Sequence, residues 1–587
     1  MTITSTDKIP IEEGFKVEAG PGAGKTDFLV NHIKNVIQNS DRLSCTRKVA
    51  CITYTNTGVE TILQRLGKSV SGKVEVSTIH SFLYRNVVKP YATFIPQEYE
   101  ADCSLLNGHD DFFVNRRYLD EWLADPVFDS LKHPNTRNQL LKMPKQFAAL
   151  EKWLQSMQCY YEKGAVSFGC DDSKAVDSTD GKEVRLKGSN LKILSAHLED
   201  LKKIYWRKGK IDHNDVLFFS VVLINHYPFI LDILRAKFPY IFLDEYQDTS
   251  PVQAYIVDRI KERETIIGVI GDKSQSIYSF QGANPSLFKS FKVPKGNQFT
   301  IVQNHRSSED IVRFLNVLRD DIKQEPCNGK SGNSVCVIVG DRISAYQKAL
   351  DMCGNTPEET ITSLSRNNIT SNAMKKDIDD TVLNAKLLEK YRKLDTSVVR
   401  RSYIENTVRA VELAKNGKFK EAIKNLEHTF RNNDNPKKQA LYVLSILLRE
   451  YFSYSNDNLM KFYEVAASLS MKRLPGFSKG NAKSFYEDTS YQSIAVCMNI
   501  PEDTSAHITI HKSKGAQFRN VFVVGNDKVK KALLEPKLGT DEEHRIAYVA
   551  FSRAQNRLFI QFDAEVISPE DEKKLSEKFN MLQIIRL

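Results

Sequence analysis

Short apolar runs recur along the chain and end in polar or charged residues: Val49 to Thr53, Val74 to Ser77, Tyr240 to Leu243, Ile266 to Ile270, Phe299 to Val302, Val335 to Val339, Val521 to Val524 and Leu558 to Gln561. Helix-period stretches lie between many of them. Continuous apolar strands flanked by helices are what a parallel sheet buried on both faces requires. The pattern therefore predicts α/β units with their chemistry at the carboxyl ends of the strands. Two long stretches depart from the alternation, Asn86 to Lys210 and Asp341 to Met498, and both read as mostly helical insertions. The first holds all the tryptophans, Trp122, Trp153 and Trp206, and a turn-rich stretch from Gly164 to Gly188 that reads as an exposed loop or hairpin. The second contains a glycine-poor, strongly charged helical region from Ala373 to Tyr454, with breaks at Asn416-Gly417 and between Asn432 and Pro436. Its Lys and Arg residues read first as solvated helix faces and second as a DNA-contacting face.

Composition narrows the function classes. A length of 587 residues fits about four domains, and 41% hydrophobic content supports sizeable cores. The balance of 83 basic against 73 acidic residues, a net charge of +10, suits either one basic track for nucleic acid or a mixed solvated surface. Nine cysteines with no Cys-x-x-Cys spacing point to a reduced cytoplasmic protein without an iron–sulfur or zinc site. The N-terminus lacks a signal-peptide pattern. The longest apolar run, Val216 to Ile224, is interrupted by Ser220 and is too short to span a bilayer, so no membrane role is expected.

Two motifs carry the chemistry. Ala19-Gly20-Pro21-Gly22-Ala23-Gly24-Lys25-Thr26 lies between a short strand-like stretch and an apolar-periodic helix. There, backbone N–H groups, the Lys25 ammonium and the Thr26 hydroxyl suit a phosphate chain and its Mg²⁺. The alternative is a glycine-rich turn that merely caps a helix. Downstream, Asp244-Glu245-Tyr246-Gln247-Asp248 follows the apolar stretch Tyr240 to Leu243. Asp244 is placed to hold the metal and Glu245 to activate a water, while Gln247 and Gln253 remain to read other groups. An acidic pair alone is weak, since most such pairs are solvated or sit at helix N-termini. Together the two motifs indicate a magnesium-dependent nucleotide hydrolase.

Further polar and aromatic segments follow in order: Thr53-Tyr54-Thr55-Asn56-Thr57, Ser77-Thr78-Ile79-His80-Ser81-Phe82, Gly271 to Ala283, Gln303-Asn304-His305-Arg306-Ser307, Thr509 to Phe518 and Glu542 to Ala554. Hydroxyls interleaved with aromatic rings suit a strand of nucleic acid, gripped at phosphates and stacked at bases. In order and spacing the whole set closely resembles the UvrD/Rep-type superfamily 1 DNA helicases, from Ala19 to Ala554. The resemblance implies an α/β fold of two RecA-like parallel-sheet domains, each with a mainly helical insertion. The first domain would comprise residues 1–85 and 211–296, with 86–210 inserted. The second would comprise 297–340 and 499–587, with 341–498 inserted.

The resemblance also implies roles. Ala19 to Thr26 would bind ATP, with Thr26 and Asp244 on Mg²⁺, Glu245 as the base and Gln275 as the γ-phosphate sensor. Arg306 and Arg553, from the second RecA-like domain, would act as arginine fingers. His305, Gly515 and Gln517 would contact the nucleotide. Tyr54, Thr55, Asn56, His80, Tyr278, Phe280 and His511 would line a single-stranded DNA track, with core packing as the competing role for Tyr54 and Tyr278. Several positions depart from the family pattern. No glutamine precedes Gln38, so the usual adenine-reading element is missing and adenine selectivity is open. His305 stands for a tyrosine, Gln517 for a glutamate, Gln281 for an arginine and Phe280 for a tryptophan. The implied activity is 3′-to-5′ ATP-dependent translocation along, or unwinding of, single-stranded or tailed DNA. The rival is a DNA-sensing regulatory subunit that controls a partner without processive unwinding. The chain ends soon after Ala554, so any cutting is expected of a separate nuclease subunit. The compact N-terminus and missing glutamine element resemble the helicase-like subunits of Gabija-type antiphage systems, which pair with a nuclease.

Overall fold

The apolar runs become the strands of two largely parallel sheets. In the first, seven strands lie in the order Thr2–Ile3, Gln298–Ile301, Phe15–Ala19, Ile266–Gly271, Tyr240–Leu243, Val49–Thr53 and Val74–Thr78, and every pairing is parallel. The computed structural model describes all residues except 68–71, 107, 110, 111, 132–135, 163, 178–182, 330–333, 355, 357, 379–382, 385, 431–433, 471, 472, 478, 479 and 499–504. Strands Val49–Thr53, Tyr240–Leu243 and Ile266–Gly271 are buried along their whole length, which explains their uninterrupted apolar sequence. Strands Phe15–Ala19, Ile266–Gly271 and Tyr240–Leu243 are consecutive neighbours. The residues that follow them, the glycine loop, Asp272 and Asp244, therefore emerge along one edge of the sheet.

Strand Gln298–Ile301 corrects the boundary expected at 297. It pairs with Phe15–Ala19, Phe299 opposite Val17, because Phe299 and Ile301 pack into the same apolar cluster as Val17 and Phe28. The chain divides into two compact units, the first containing residues 1–178, 183–334 and 531–556, the second residues 335–530 and 557–587. Segment 531–556 thus groups with the first unit rather than with 499–587. The Phe551 ring meets Phe314 edge-on at 5.5 Å, and the Arg545 guanidinium donates to the Ser276 carbonyl at 2.6 Å.

Within the first unit the three tryptophans are fully buried in one cluster with the apolar helix His213–His226. That packing accounts for the apolar run at 216–224. Among the described residues no single helix is long and apolar enough to cross a membrane. The turn-rich stretch from Gly164 supplies strand Ala165–Gly169, which forms an antiparallel hairpin with Gln158–Glu162, and a short pair, Val176–Asp177 with Val184–Arg185.

In the second unit six strands lie in the order His507–Thr509, Ile361–Ser365, Phe518–Val524, Ala554–Phe562, Val335–Val339 and Leu582–Arg586. Ile361–Ser365 lies inside the stretch read as helical; its Thr and Ser residues mask a strand that is buried throughout. Helices Val398–Lys415, Phe419–Thr429 and Pro436–Arg449 surround a separate apolar core. The break at Gly417 is a left-handed residue, φ +76°. At the second break Asn432 and Asn433 fall outside the described residues, while Asn435 caps the next helix through Lys438 N–H and Pro436 opens it.

His32, on helix Lys25–Asn39, is buried among the rings of Phe15, Phe28 and Phe242, 4.7 to 5.9 Å away. Burial pushes its imidazole down to about 4. A histidine whose folded value is depressed takes up a proton on unfolding, so its contribution is complete above about pH 6.5 and is lost as pH falls toward about 4. Thermal melts of the parent are expected to lose up to about 3 kcal/mol over that window from this residue, and His32→Phe is expected to flatten the slope. An unchanged slope in the variant would contradict the assignment.

Candidate nucleotide and nucleic-acid sites

The glycine loop is shaped by two left-handed glycines, Gly22 at φ +71° and Gly24 at φ +78°, immediately before helix Lys25–Asn39. A Cβ on Gly22 would stand 2.6 Å from both Arg306 Cβ and Asn304 Oδ1. The loop is clamped by amides: Asn304 Nδ2 and Gln324 Nε2 both donate to the Pro21 carbonyl, at 3.0 and 2.9 Å. His305 N–H donates to the Gly22 carbonyl at 3.0 Å. The Lys25 ammonium donates to the Ala19 and Gly20 carbonyls at 3.2 and 3.3 Å, so it lies over the mouth of the loop. Thr26 is the second residue of that helix.

Two strands away, Asp244 N–H continues the ladder by donating to the Ile52 carbonyl at 2.8 Å. Glu245 is left-handed, φ +54° and ψ +38°, with its N–H on Asp244 Oδ1 at 3.0 Å. A non-glycine residue in that region is strained by about 1–3 kcal/mol, held here by the surrounding hydrogen bonds. Gln275 Nε2 donates to Asp272 Oδ2 at 2.6 Å, and its Oε1 accepts from Arg553 at 2.7 Å. Arg306 donates to the Ser552 carbonyl at 2.9 Å. Burial, and then the neighbouring Arg553, push the Arg306 guanidinium down to about 9, with Glu245 opposing. Burial also lowers Arg553. Two crowded guanidiniums beside the phosphate loop make a site that an anion would relieve.

A cleft of about 790 Å³ opens in the same unit, lined among others by Tyr54, Thr55, Asn56, His80, Tyr278, Phe280 and Gln281. The rings of Tyr54 and Tyr278 stack at 4.5 Å, and the Tyr54 hydroxyl donates to Gln281 Oε1. Burial, and then the Asp248 carboxylate, raise the Tyr54 phenol well above its ordinary range, which keeps it a donor. Tyr278 is buried, whereas Phe280 is 60% exposed. Thr55 caps helix Asn56–Leu66 by accepting Gly58 N–H at 3.1 Å. Burial, and then His213 and His109, push His80 down to about 3, so it is neutral at physiological pH.

Residues 6–295 match the UvrD/REP helicase N-terminal domain and residues 347–565 the UvrD-like helicase C-terminal domain. The chain belongs to the UvrD/Rep helicase family. It is 25% identical over 341 residues to the ATP-dependent DNA helicase PcrA of Bacillus subtilis (strain 168), which covers 56% of this chain and 40% of that protein. It is 24% identical over 356 residues to the Gabija protein GajB of Bacillus cereus (strain HuB5-5), covering 55% and 50%. A PcrA from Staphylococcus aureus (strain Mu50 / ATCC 700699) is 25% identical over 354 residues, covering 59% and 43%. The chain thus spans about half the length or less of these relatives.

Against the UvrD/Rep motif set, the structure gathers Lys25, Thr26, Asp244, Glu245, Gln275, Arg306 and Arg553 in one compact unit. By contacts both arginines group with the glycine loop, while Arg553 also lies within the match to the UvrD-like C-terminal domain and directly precedes strand Ala554–Phe562 of the second sheet. His511, Gly515 and Gln517 lie in the other unit; Gly515 is left-handed, φ +84°, in the turn after strand His507–Thr509. Sequence reasoning missed Gln324, Arg319, His109 and His213. Arg319 forms a fully buried ion pair with Asp272 at 3.2 Å, and His109 and His213 meet at 2.8 Å through their Nδ1 atoms. No periodicity marks any of them; only the family motif containing Asn304 hints at the amide clamp.

Gly22→Ala is expected to destabilise the fold by about 1–3 kcal/mol through its positive φ and to displace Arg306. The rise in melting temperature on adding magnesium and ATP should vanish, and a rise equal to the parent's would refute the close packing described.

Proposed function

We propose that the chain is an ATP-dependent single-stranded DNA translocase or helicase of 3′-to-5′ polarity. The observation that carries this reading is the segment Asp272 to Gln281, which holds Gln275 against Arg553 and, three residues later, Tyr278 against Tyr54. One short stretch of backbone thus joins the groups proposed to sense the γ-phosphate to those proposed to touch bases. A change at Gln275 has a direct mechanical route to the aromatic stack.

For the chemistry, Lys25 and the loop N–H groups bind the phosphates, Glu245 takes the proton of the attacking water, and Arg306 and Arg553 stabilise charge on the transferring group. The Thr26 hydroxyl and Asp244 carboxylate would hold Mg²⁺. A hard oxygen pair fits this ion when substrate phosphates complete its shell, and among the described residues no set of three or more His, Cys, Asp or Glu offers an all-protein site. Bound there, the ion would neutralise phosphate charge.

Similarity to GajB supports antiphage defence alongside a partner nuclease as the setting, with DNA repair as the other. A regulatory, DNA-sensing role is favoured by one observation: Gln281, in place of the family's arginine, is engaged by Tyr54 and contributes no charge to the track. Strand displacement on 3′-tailed and 5′-tailed duplexes decides the matter, since ATPase activity without displacement would select the regulatory role.

Lys25→Ala is expected to lose ATP affinity and turnover together, while Glu245→Gln keeps binding and loses about 10²–10⁴-fold in rate. Arg553→Ala is expected to bind ATP nearly normally yet lose about 10³-fold or more in DNA-stimulated turnover; normal hydrolysis would remove the arginine from the mechanism. Phe280→Ala should weaken single-strand binding by about 1–3 kcal/mol, the value of one stacked base, and binding by the parent should fall steeply with salt. Equal affinity in an electrophoretic titration would exclude Phe280 from the track.

A further inference from the structure

Of the two glutamines in the acidic motif, Gln253 forms a reciprocal cap with Ser250 at the start of helix Pro251–Lys261. It accepts Ser250 N–H at 3.1 Å and gives its own N–H to Ser250 Oγ. Gln247 is different. Its side chain has no exposed surface, its Nε2 donates to Glu245 Oε2 at 2.5 Å, and its Oε1 accepts Asp272 N–H at 2.9 Å. A backbone N–H only donates, so the second contact fixes the amide's orientation and obliges Nε2 to face the carboxylate. The residue's backbone is anchored as well, because Ser276 Oγ donates to the Gln247 carbonyl at 3.1 Å. The amide fills the space that a side chain at Gly271 would need, since a Cβ there would stand 2.5 Å from Gln247 Oε1.

We infer that Gln247 is a positioning residue for ATP hydrolysis: its buried amide, locked on the backbone of Asp272, holds the Glu245 carboxylate in the rotamer from which it accepts the proton of the attacking water. The inference rests on the reading of Glu245 as the base. A long, flexible carboxylate on a left-handed residue needs such a restraint, because a general base is effective only within hydrogen-bond reach of its proton. The same backbone continues from Asp272 to Gln275 and so to Arg553. Gln247 thereby ties the base to the opposite wall of the nucleotide site.

The test is steady-state ATPase kinetics on the full chain with single-stranded DNA, using Gln247→Leu and Gln247→Glu, each in the parent and in a Glu245→Gln background. Gln247→Glu keeps an oxygen for Asp272 N–H and replaces only the donor facing Glu245. Both variants are expected to lower kcat about 10–100-fold with KM for ATP within about twofold, as misplacement of a reacting group does. In the Glu245→Gln background neither should lower the residual rate further, since residues acting as a unit are not additive. A parental kcat in Gln247→Glu, or an equal loss in both backgrounds, would overturn the inference and leave Gln247 a purely structural residue. If Glu245→Gln alone hydrolyses ATP at the parental rate, the reading of the base fails first and the inference falls with it. Should Gln247→Leu not fold, Gln247→Glu carries the test.

Discussion

The Asp272 carboxylate, with no exposed surface at the end of the strand next to the phosphate-loop strand, is where the first unit's polar network meets. It receives Arg319 through two nitrogens at 3.2 and 3.3 Å, Ser274 N–H at 3.1 Å and Gln275 Nε2 at 2.6 Å. Burial alone would lower the Arg319 guanidinium, but Asp272 opposite it raises it well above its ordinary range. Arg319 also reaches the Tyr548 hydroxyl at 3.1 Å. A buried pair of this kind adds little net stability, yet removing one partner strands the other and costs about 3–5 kcal/mol. Gln275, Arg553 and the aromatic segment are thus positioned by a fully buried charge pair.

The parallel-strand pattern and the glycine and acidic motifs were readable because each is local: a fully buried strand must be apolar along its length, and a phosphate loop must carry glycine where φ is positive. What escaped the sequence is long-range. Strand Ile361–Ser365 is buried but carries Thr362, Ser363 and Ser365, so its apolar signature is diluted. Strand Gln298–Ile301 is visible as a strand, yet only its pairing with Phe15–Ala19 reveals which sheet it joins. The amides of Asn304 and Gln324 converge on Pro21 across hundreds of residues, and nothing in the spacing of polar residues announces that meeting.

The aromatic cleft joins packing and exposed rings in one place. Tyr54 and Tyr278 stack on each other, and Gln281, where the family has arginine, accepts the Tyr54 hydroxyl. Phe280, 6.0 Å from Tyr278, projects outward, and Gln158 from the inserted hairpin holds its carbonyl at 2.6 Å. Rigid rings below an exposed ring form a platform suited to sequence-tolerant stacking.

The membership of segment 531–556 in the first unit bears on how the chain is made. Tyr548 and Arg553 are partners of Arg319 and Gln275, yet they are synthesised only after the whole of 335–530. At a translation pace of about 5–20 residues per second, Asp272 and Gln275 wait on the order of tens of seconds for those partners. The nascent first sheet can pair its strands in that interval, but the hydrogen bonds of Arg319 and Gln275 to Tyr548 and Arg553 cannot yet form. A ribosome-bound intermediate would therefore hold a phosphate loop while Gln275 still lacked the hydrogen bond from Arg553.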